Sequence, residues 1–193
     1  RYLVVGDDFK FGKERQGDFA LLQEAGKQHG FQVVNMHTFA IAETRVSSTR
    51  IRQALEIGDL MLAQTLLGHP YKMSGRVAHG DKRGRTMGFP TANIHLHRRK
   101  VPLKGVYAIR LFGIQGEPVE GVANVGNRPT VGGEKALLEV HLFDFDTEIY
   151  GEYVQVHFLQ KLRDEQKFAD LAALIEQISL DCIAAKQYFS NDD

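Results

Sequence analysis

The chain has 193 residues, 43% hydrophobic and 25% charged, with 24 basic side chains balancing 24 acidic ones and a single cysteine. That profile belongs to an ordinary globular protein and excludes an internal disulfide framework and a Cys-rich zinc site. No apolar run approaches the roughly 20 residues of a membrane span, and the opening RYLVVGDDF lacks the charged-then-apolar pattern of a secretory signal. The sequence therefore predicts a cytoplasmic protein, and the lone cysteine fits a reducing compartment. The missing initiator methionine and the start inside a strand-like segment predict a piece of a longer protein.

The zero net charge hides an asymmetry. Residues 1–66 are neutral, residues 72–110 carry net +9 and residues 111–193 carry net −9. A concentrated positive segment implies an anionic partner, either a nucleic acid or a nucleoside polyphosphate, unless the acidic part folds back and neutralises it.

In chain order, Tyr2–Val5 reads as a short strand followed by GDD. Asp18 is placed to cap a helix carrying Phe19, Leu22 and Ala25, with Gly30 as its stop. Phe31–Val34 is a second, β-branched strand. Strand–helix–strand order predicts a parallel α/β unit. SSTRIRQALEIG reads as a helix with a Ser/Thr start and Gly58 as its stop, and DLMLAQTLLG repeats the logic with Asp59 and Gly68. Near residue 68 the period changes. Short alternating segments follow at Tyr71–Val77, Thr91–Leu96, Val106–Phe112, Val119–Val125, Leu137–Phe143 and Tyr153–Phe158, which predict a small β-barrel or sandwich. A final helix keeps its period through Phe168, Leu171, Leu174, Ile175 and Ile178 after an expected cap at Asp164, and that stripe is expected to pack into the core. The expected division is 1–67 and 68–193.

Three segments can carry chemistry. In GRVAHGDKRGRTMGFPTAN (75–93), Gly75, Gly80, Gly84 and Gly88 punctuate a basic stretch with Arg76, Lys82, Arg83 and Arg85. Glycines let backbone amides converge on phosphate, although neither common phosphate fingerprint fits. At its end, Thr91 and Asn93 share a strand face, and their hard oxygens suit Mg²⁺. In LLEVHLFDFDTEIYG (137–151), Leu138, Val140 and Leu142 share one face and Glu139 and His141 the other. A carboxylate set among apolar side chains is a candidate general base for a hydroxyl. Asp144, Asp146 and Glu148 read as turn decoration. In the third segment, Ser48, Thr49 and Arg52 make a helix start that can bind an anion. His95 and His97 lack the further ligands of a zinc site and read as a surface pair beside Arg98 and Arg99. Cys182 reads as a buried small apolar residue.

GRVAHGDKRGRTMGFPTAN, GVYA (105–108), GVANVGNRPT (121–130) and LEVHLFDFDTEIYG (138–151) together resemble a riboflavin kinase module. Upstream, VVGDDFKFGKERQGD (4–18) and VSSTRIRQAL (46–55) resemble the end of an FMN adenylyltransferase module. The whole chain is similar to the C-terminal part of bacterial bifunctional riboflavin kinase/FAD synthetases. The resemblance implies an α+β chain. Its kinase part would be a six-stranded antiparallel Greek-key barrel with a C-terminal helix, preceded by a partial Rossmann-like nucleotidyltransferase segment in 1–67. It implies ATP- and Mg²⁺-dependent phosphorylation of riboflavin to FMN, with ADP as the other product. Glu139 matches the family's catalytic base, and Thr91 and Asn93 match its Mg²⁺ and ATP-phosphate positions. Gly75, Lys82, Gly84 and Gly88 fall in the loop covering the nucleotide. Ser48, Thr49 and Arg52 match a phosphate-binding motif of the adenylyltransferase, whose first motif, with its two histidines, is absent here. The chain by itself is therefore expected not to make FAD. The expected partners are ATP, riboflavin and FMN, with no nucleic acid, membrane or obligate protein partner.

A rival expectation is a barrel that binds nucleic acid, or a flavin, without turnover. Only Phe89 and Tyr107 interleave the basic segment, fewer aromatics than a single-strand-binding groove uses.

Overall fold

A computed structural model of the chain describes residues 1–6, 8–36, 40–41, 44–79, 88–96, 101–114, 116–130 and 133–192. These divide into two compact units, Arg1–Ser47 and Ser48–Asp193.

In the first unit, β1 (Tyr2–Gly6) pairs in parallel with β2 (Gln32–Met36), joined through helix α1 (Phe19–His29). Asp18 caps α1, its carboxylate accepting from the Leu21 amide at 3.0 Å, and Gly30 ends it at φ 72°. The parallel unit, its cap and its stop all match the sequence reading. Two short strands, β3 (Ala40–Ile41) and β4 (Thr44–Arg45), pair antiparallel.

The second unit opens with helices α2 (Ser48–Ile57) and α3 (Leu60–Leu67). The Asp59 carboxylate accepts from the Leu62 amide at 2.9 Å, and Gly68 closes α3 at φ 76°. Ala54, Leu55, Leu60 and Ala63 from these helices join the same buried cluster as the strands that follow.

Those strands are β5 (Lys72–Ala78), β6 (Ala92–His95), β7 (Gly105–Phe112), β8 (Val119–Thr130), β9 (Gly133–Leu142) and β10 (Tyr153–Arg163). They close into a barrel in the order β10-β5-β6-β9-β8-β7, with every pairing antiparallel. Strand β10 lies beside β7, the first of the β7-β8-β9 meander, which is the Greek-key arrangement. Between the barrel and sandwich left open by the alternation, the chain takes the barrel, which leaves no sheet edge to protect. Inward side chains alternate along each strand: Tyr107, Ile109 and Leu111 on β7, Leu138 and Val140 on β9, Val154, Val156 and Phe158 on β10, all fully buried. The Tyr107 ring meets the Phe158 ring edge-on at 5.5 Å. Its hydroxyl donates to the Lys104 carbonyl at 2.7 Å, and burial pushes its pKa up to about 12.

Four elements, β8, β9, β10 and the last helix, differ from expectation. β8 and β9 run past the expected ends to Thr130 and back from Gly133. The ladder sets Gly126 opposite Leu137, Asn127 opposite Ala136 and Pro129 opposite Glu134, so these residues lie in strand. The last helix, α4 (Leu171–Asp192), starts later than expected. Its cap is Asp170, which accepts from the Ala173 amide at 2.9 Å, rather than Asp164. The cause is upstream: β10 continues through two register shifts to Arg163, and the Asp164 carboxylate pairs with Lys161 at 2.7 Å instead. The C-terminal half of α4 packs Ala185 and Phe189 against Ala108 and Val122 on the outside of the barrel.

Candidate active site

The site follows from strand alternation. With Leu138 and Val140 turned into the barrel, Glu139 and His141 face outward on β9. Strand register sets Asn93 of β6 opposite Glu139 on one side and Asn124 of β8 opposite it on the other. Val106 of β7 lies opposite Asn124. One row across four strands therefore reads Asn93, Glu139, Asn124, Val106. The N-terminal half of α4 stands across this row, and with the 164–170 connection it encloses a cavity of about 440 Å³. Its walls mix the polar row with Val122, Phe168, Leu174 and Ile178.

A second cavity, of about 210 Å³, lies beside the first between the end of β5 and the 143–152 loop, with Phe145, Asp146, Glu148 and Tyr150 in its wall. That loop is latched to β5. The Val77 amide donates to the Glu152 carbonyl and the Gly151 amide to the Val77 carbonyl, each at 2.9 Å. Arg76 donates to the Gly151 carbonyl at 2.5 Å, and the His79 ring stacks on Tyr150 at 4.0 Å. Asp146 and Glu148, expected to decorate a turn, thus face a cavity.

Thr91 lines both cavities and marks where they meet. Its approach is fixed from β9. Nδ1 of His141 lies 2.9 Å from the Pro90 carbonyl oxygen, which can only accept, so Nδ1 carries the proton. The Phe89 ring meets the His141 imidazole edge-on at 5.5 Å. Gly88, at φ +83°, supplies the left-handed turn that starts this approach.

Across the larger cavity, the Arg163 guanidinium grips the Asp181 carboxylate of α4 with three hydrogen bonds, Nε to Oδ1 at 2.8 Å and to Oδ2 at 3.1 Å, and Nη2 to Oδ2 at 2.7 Å. Both residues line the cavity.

The structure thus brings Thr91, Asn93 and Glu139 together. Gly75 lies inside the barrel and lines neither cavity. A Cβ there would sit 2.4 Å from the His95 carbonyl oxygen, so close strand approach alone requires a glycine. Gly88 is exposed and lines neither cavity. Lys82 and Gly84 lie outside the described residues, with Gly80, Arg83, Arg85 and the His97 to Lys100 run. Ser48, Thr49 and Arg52 are exposed on the first turns of α2 and line neither cavity. His95 is exposed, and among the described residues no group of three His, Cys, Asp or Glu side chains is placed to hold a metal. Arg110 of the basic segment pairs with Glu120 of the acidic one at 3.2 Å, so part of the charge asymmetry is neutralised within the fold. Cys182 is half-buried against the Ala108 and Phe189 cluster, and burial raises its thiol pKa to about 11. The core expectation for the helix stripe needs correction: Phe168 precedes α4, and Leu174 and Ile178 wall the cavity. Asn124, Arg163 and Asp181 had no individual signal in the sequence.

Two family profiles match separate stretches of the chain. Residues 67–189 match the profile of the flavokinase family, described as riboflavin kinase. Residues 1–50 match the FAD synthetase family. The bifunctional riboflavin kinase/FMN adenylyltransferase of Escherichia coli (strain K12) is 51% identical over 98% of this chain and 60% of its own length. The protein of the same description from Haemophilus influenzae is 53% identical over 99% of this chain and 62% of its own. The chain thus spans about three-fifths of these relatives. A crystal structure titled macrolide-efflux protein, from Streptococcus pneumoniae, matches with a TM-score of 0.72 at 38% identity, over 91% of this chain and 57% of that one. Among the described residues, no helix here is long and apolar enough to cross a membrane.

Proposed function

This chain belongs to the riboflavin kinase family, and on that premise we propose that it transfers the γ-phosphoryl group of ATP to the 5′-hydroxyl of riboflavin, giving FMN and ADP. The observation that carries the reading is the outward row of Asn93, Glu139 and Asn124, set beside a threonine shared by two adjoining cavities. The larger cavity, with apolar walls and a polar floor, suits a flavin ring with its hydroxylated side chain lying along the row. The smaller one suits the nucleotide. Donor and acceptor then meet at Thr91.

Phosphoryl transfer needs positioning and charge neutralisation more than covalent chemistry from the protein. The riboflavin oxygen forms the new bond to γ-phosphorus, the bond from γ-phosphorus to the ADP oxygen breaks, and Glu139 accepts the hydroxyl proton. The Thr91 hydroxyl and the Asn93 carboxamide oxygen are hard, neutral donors, and Mg²⁺ ordinarily takes only one or two protein ligands alongside phosphates and waters. The donor set therefore fits Mg²⁺. When bound, that ion neutralises charge on the transferring group.

The match of residues 1–50 to FAD synthetase supports reading 1–67 as the end of an FMN adenylyltransferase domain, with Ser48, Thr49 and Arg52 as its phosphate contacts and 68–193 as the kinase domain. The whole protein would then also convert FMN to FAD, in the cytoplasm. Incubation of the chain with riboflavin, ATP and Mg²⁺, followed by chromatography, tests this. FMN without FAD is the expected product. A folded protein that binds riboflavin yet makes no FMN would overturn the kinase reading in favour of a flavin-binding barrel. FAD in the mixture would overturn the reading of 1–67 as half a site.

A further inference from the structure

Asp181 is the one buried charged residue among the described residues, 5% exposed. Its carboxylate is held by Arg163 through both oxygens, and Gln177 donates a further hydrogen bond to Oδ1 at 3.0 Å. Arg163 also donates from Nη1 to the Asp164 carbonyl at 3.0 Å, and its guanidinium lies 5.7 Å from the centre of the Phe168 ring. Gln166 of the same connection donates to Gln177 of α4 at 3.1 Å. One network thus ties the end of β10, the 164–168 segment and α4 together at the rim of the larger cavity.

Such a pair is a poor choice for stability alone. Removing two charges from water costs about as much as their attraction returns, and well-packed apolar replacements are often neutral or stabilising. What apolar packing does not supply is a single geometry, whereas a bidentate fork fixes both distance and rotation. The position on α4 makes that relevant. Leu174, Ile178 and Asp181 follow the i, i+4, i+7 spacing of one helix face, and all three line the cavity. The other described anchor, Ala185 and Phe189, grips only the C-terminal half, while Leu171 at the N-terminal end is 58% exposed.

We propose that the Arg163–Asp181 pair is a positioning device for riboflavin: it fixes the height and rotation of α4 over the Asn93–Glu139–Asn124 row, so that Leu174, Ile178 and Phe168 form the flavin wall, without adding net stability to the fold. This rests on the assignment of the larger cavity to the flavin.

The test compares Arg163→Met, Asp181→Leu, the double variant and Arg163→Lys. Each is measured by thermal unfolding, by riboflavin binding through fluorescence quenching, and by separate KM values for riboflavin and ATP. Arg163→Met leaves the buried Asp181 carboxylate uncompensated and unfolds at lower temperature, and Asp181→Leu, which strands the part-exposed guanidinium, loses less. The double variant regains the wild-type melting temperature, yet binds riboflavin roughly tenfold or more weakly. Its riboflavin KM rises in step, while its ATP KM stays within about twofold of wild type. Arg163→Lys, which keeps the charge without the fork, falls between. A double variant that recovers stability and riboflavin affinity together would overturn the proposal, as would one that fails to recover stability. Wild-type protein that does not bind riboflavin would instead bring down the cavity assignment on which the proposal stands.

Discussion

Along β9 the side chains alternate between two environments. Leu138 and Val140 are fully buried in the barrel, whereas Glu139 and His141 between and beside them line a ligand-sized cavity on the outside. The inner face answers to packing and tolerates little change of volume. The outer face answers to chemistry, and its spacing is set by the same strand register that builds the core. The barrel is therefore the ruler for the site: Asn93, Glu139 and Asn124 come from three separate strands and meet because the ladder aligns them.

The sharpest way to break this comparison is to change neighbours on opposite faces. Glu139→Gln keeps shape but cannot take a proton, so FMN formation is expected to fall about 10²- to 10⁴-fold. Its melting temperature and ATP affinity stay at wild type, which calorimetry and nucleotide titration check. Next in size, Leu138→Ala removes a buried side chain and should cost about 2–5 kcal/mol in denaturant unfolding. Its turnover per folded molecule should hold. Asn93→Ala, back on the outer face, is expected to raise the Mg²⁺ concentration needed for half-maximal rate, with stability little changed. An unaltered metal dependence would remove Asn93 from that role.

A finer prediction concerns His141, whose Nδ1–H holds the Pro90 carbonyl ahead of Thr91. Asparagine places an amide N–H near the position of Nδ1, and glutamine places it near Nε2. His141→Asn should therefore keep most activity, and His141→Gln should lose more of it in a rate assay. The smallest effect lies on the far side of the barrel. Burial, then Lys72 and His69, hold the His157 imidazole below its ordinary pKa. The unfolded chain then binds that proton more readily than the folded one, so stability falls as pH drops through about 6.5. Melting temperatures at pH 7.5 and 5.5 should show a shallower fall in His157→Gln than in wild type.

Much of this was legible in the sequence because period-2 alternation records which side of a strand is buried. It separated Leu138 and Val140 from Glu139 and His141, and the Pro-Thr-Ala-Asn run placed Thr91 and Asn93 on one face. Helix caps at Asp18 and Asp59 were equally readable, since a cap is a local hydrogen bond. What stayed hidden is tertiary. The period of Leu174 and Ile178 is the same whether a helix faces a core or a cavity, so the pattern by itself points to the core. Asp164 and Asp170 are both fit to cap, and only the two register shifts in β10 decide between them. Gly75 sits among phosphate-loop glycines in sequence, yet its reason is the His95 carbonyl inside the barrel. Asn124 becomes a site residue only through its register with Glu139, and Arg163 meets Asp181 only once the barrel has closed.

The central claim is that one strand carries stability on one face and catalysis on the other, and two adjacent positions test it. Rates of FMN formation per folded molecule would be measured for Leu138→Ala, which is buried and lines neither cavity, and for Glu139→Gln, with the folded fraction of each determined in the same buffer. The account predicts a collapse of the rate at 139 alone, with a near-wild-type rate at 138 despite its lower stability. A Glu139→Gln protein that keeps its rate, or a loss shared equally by both, would contradict it.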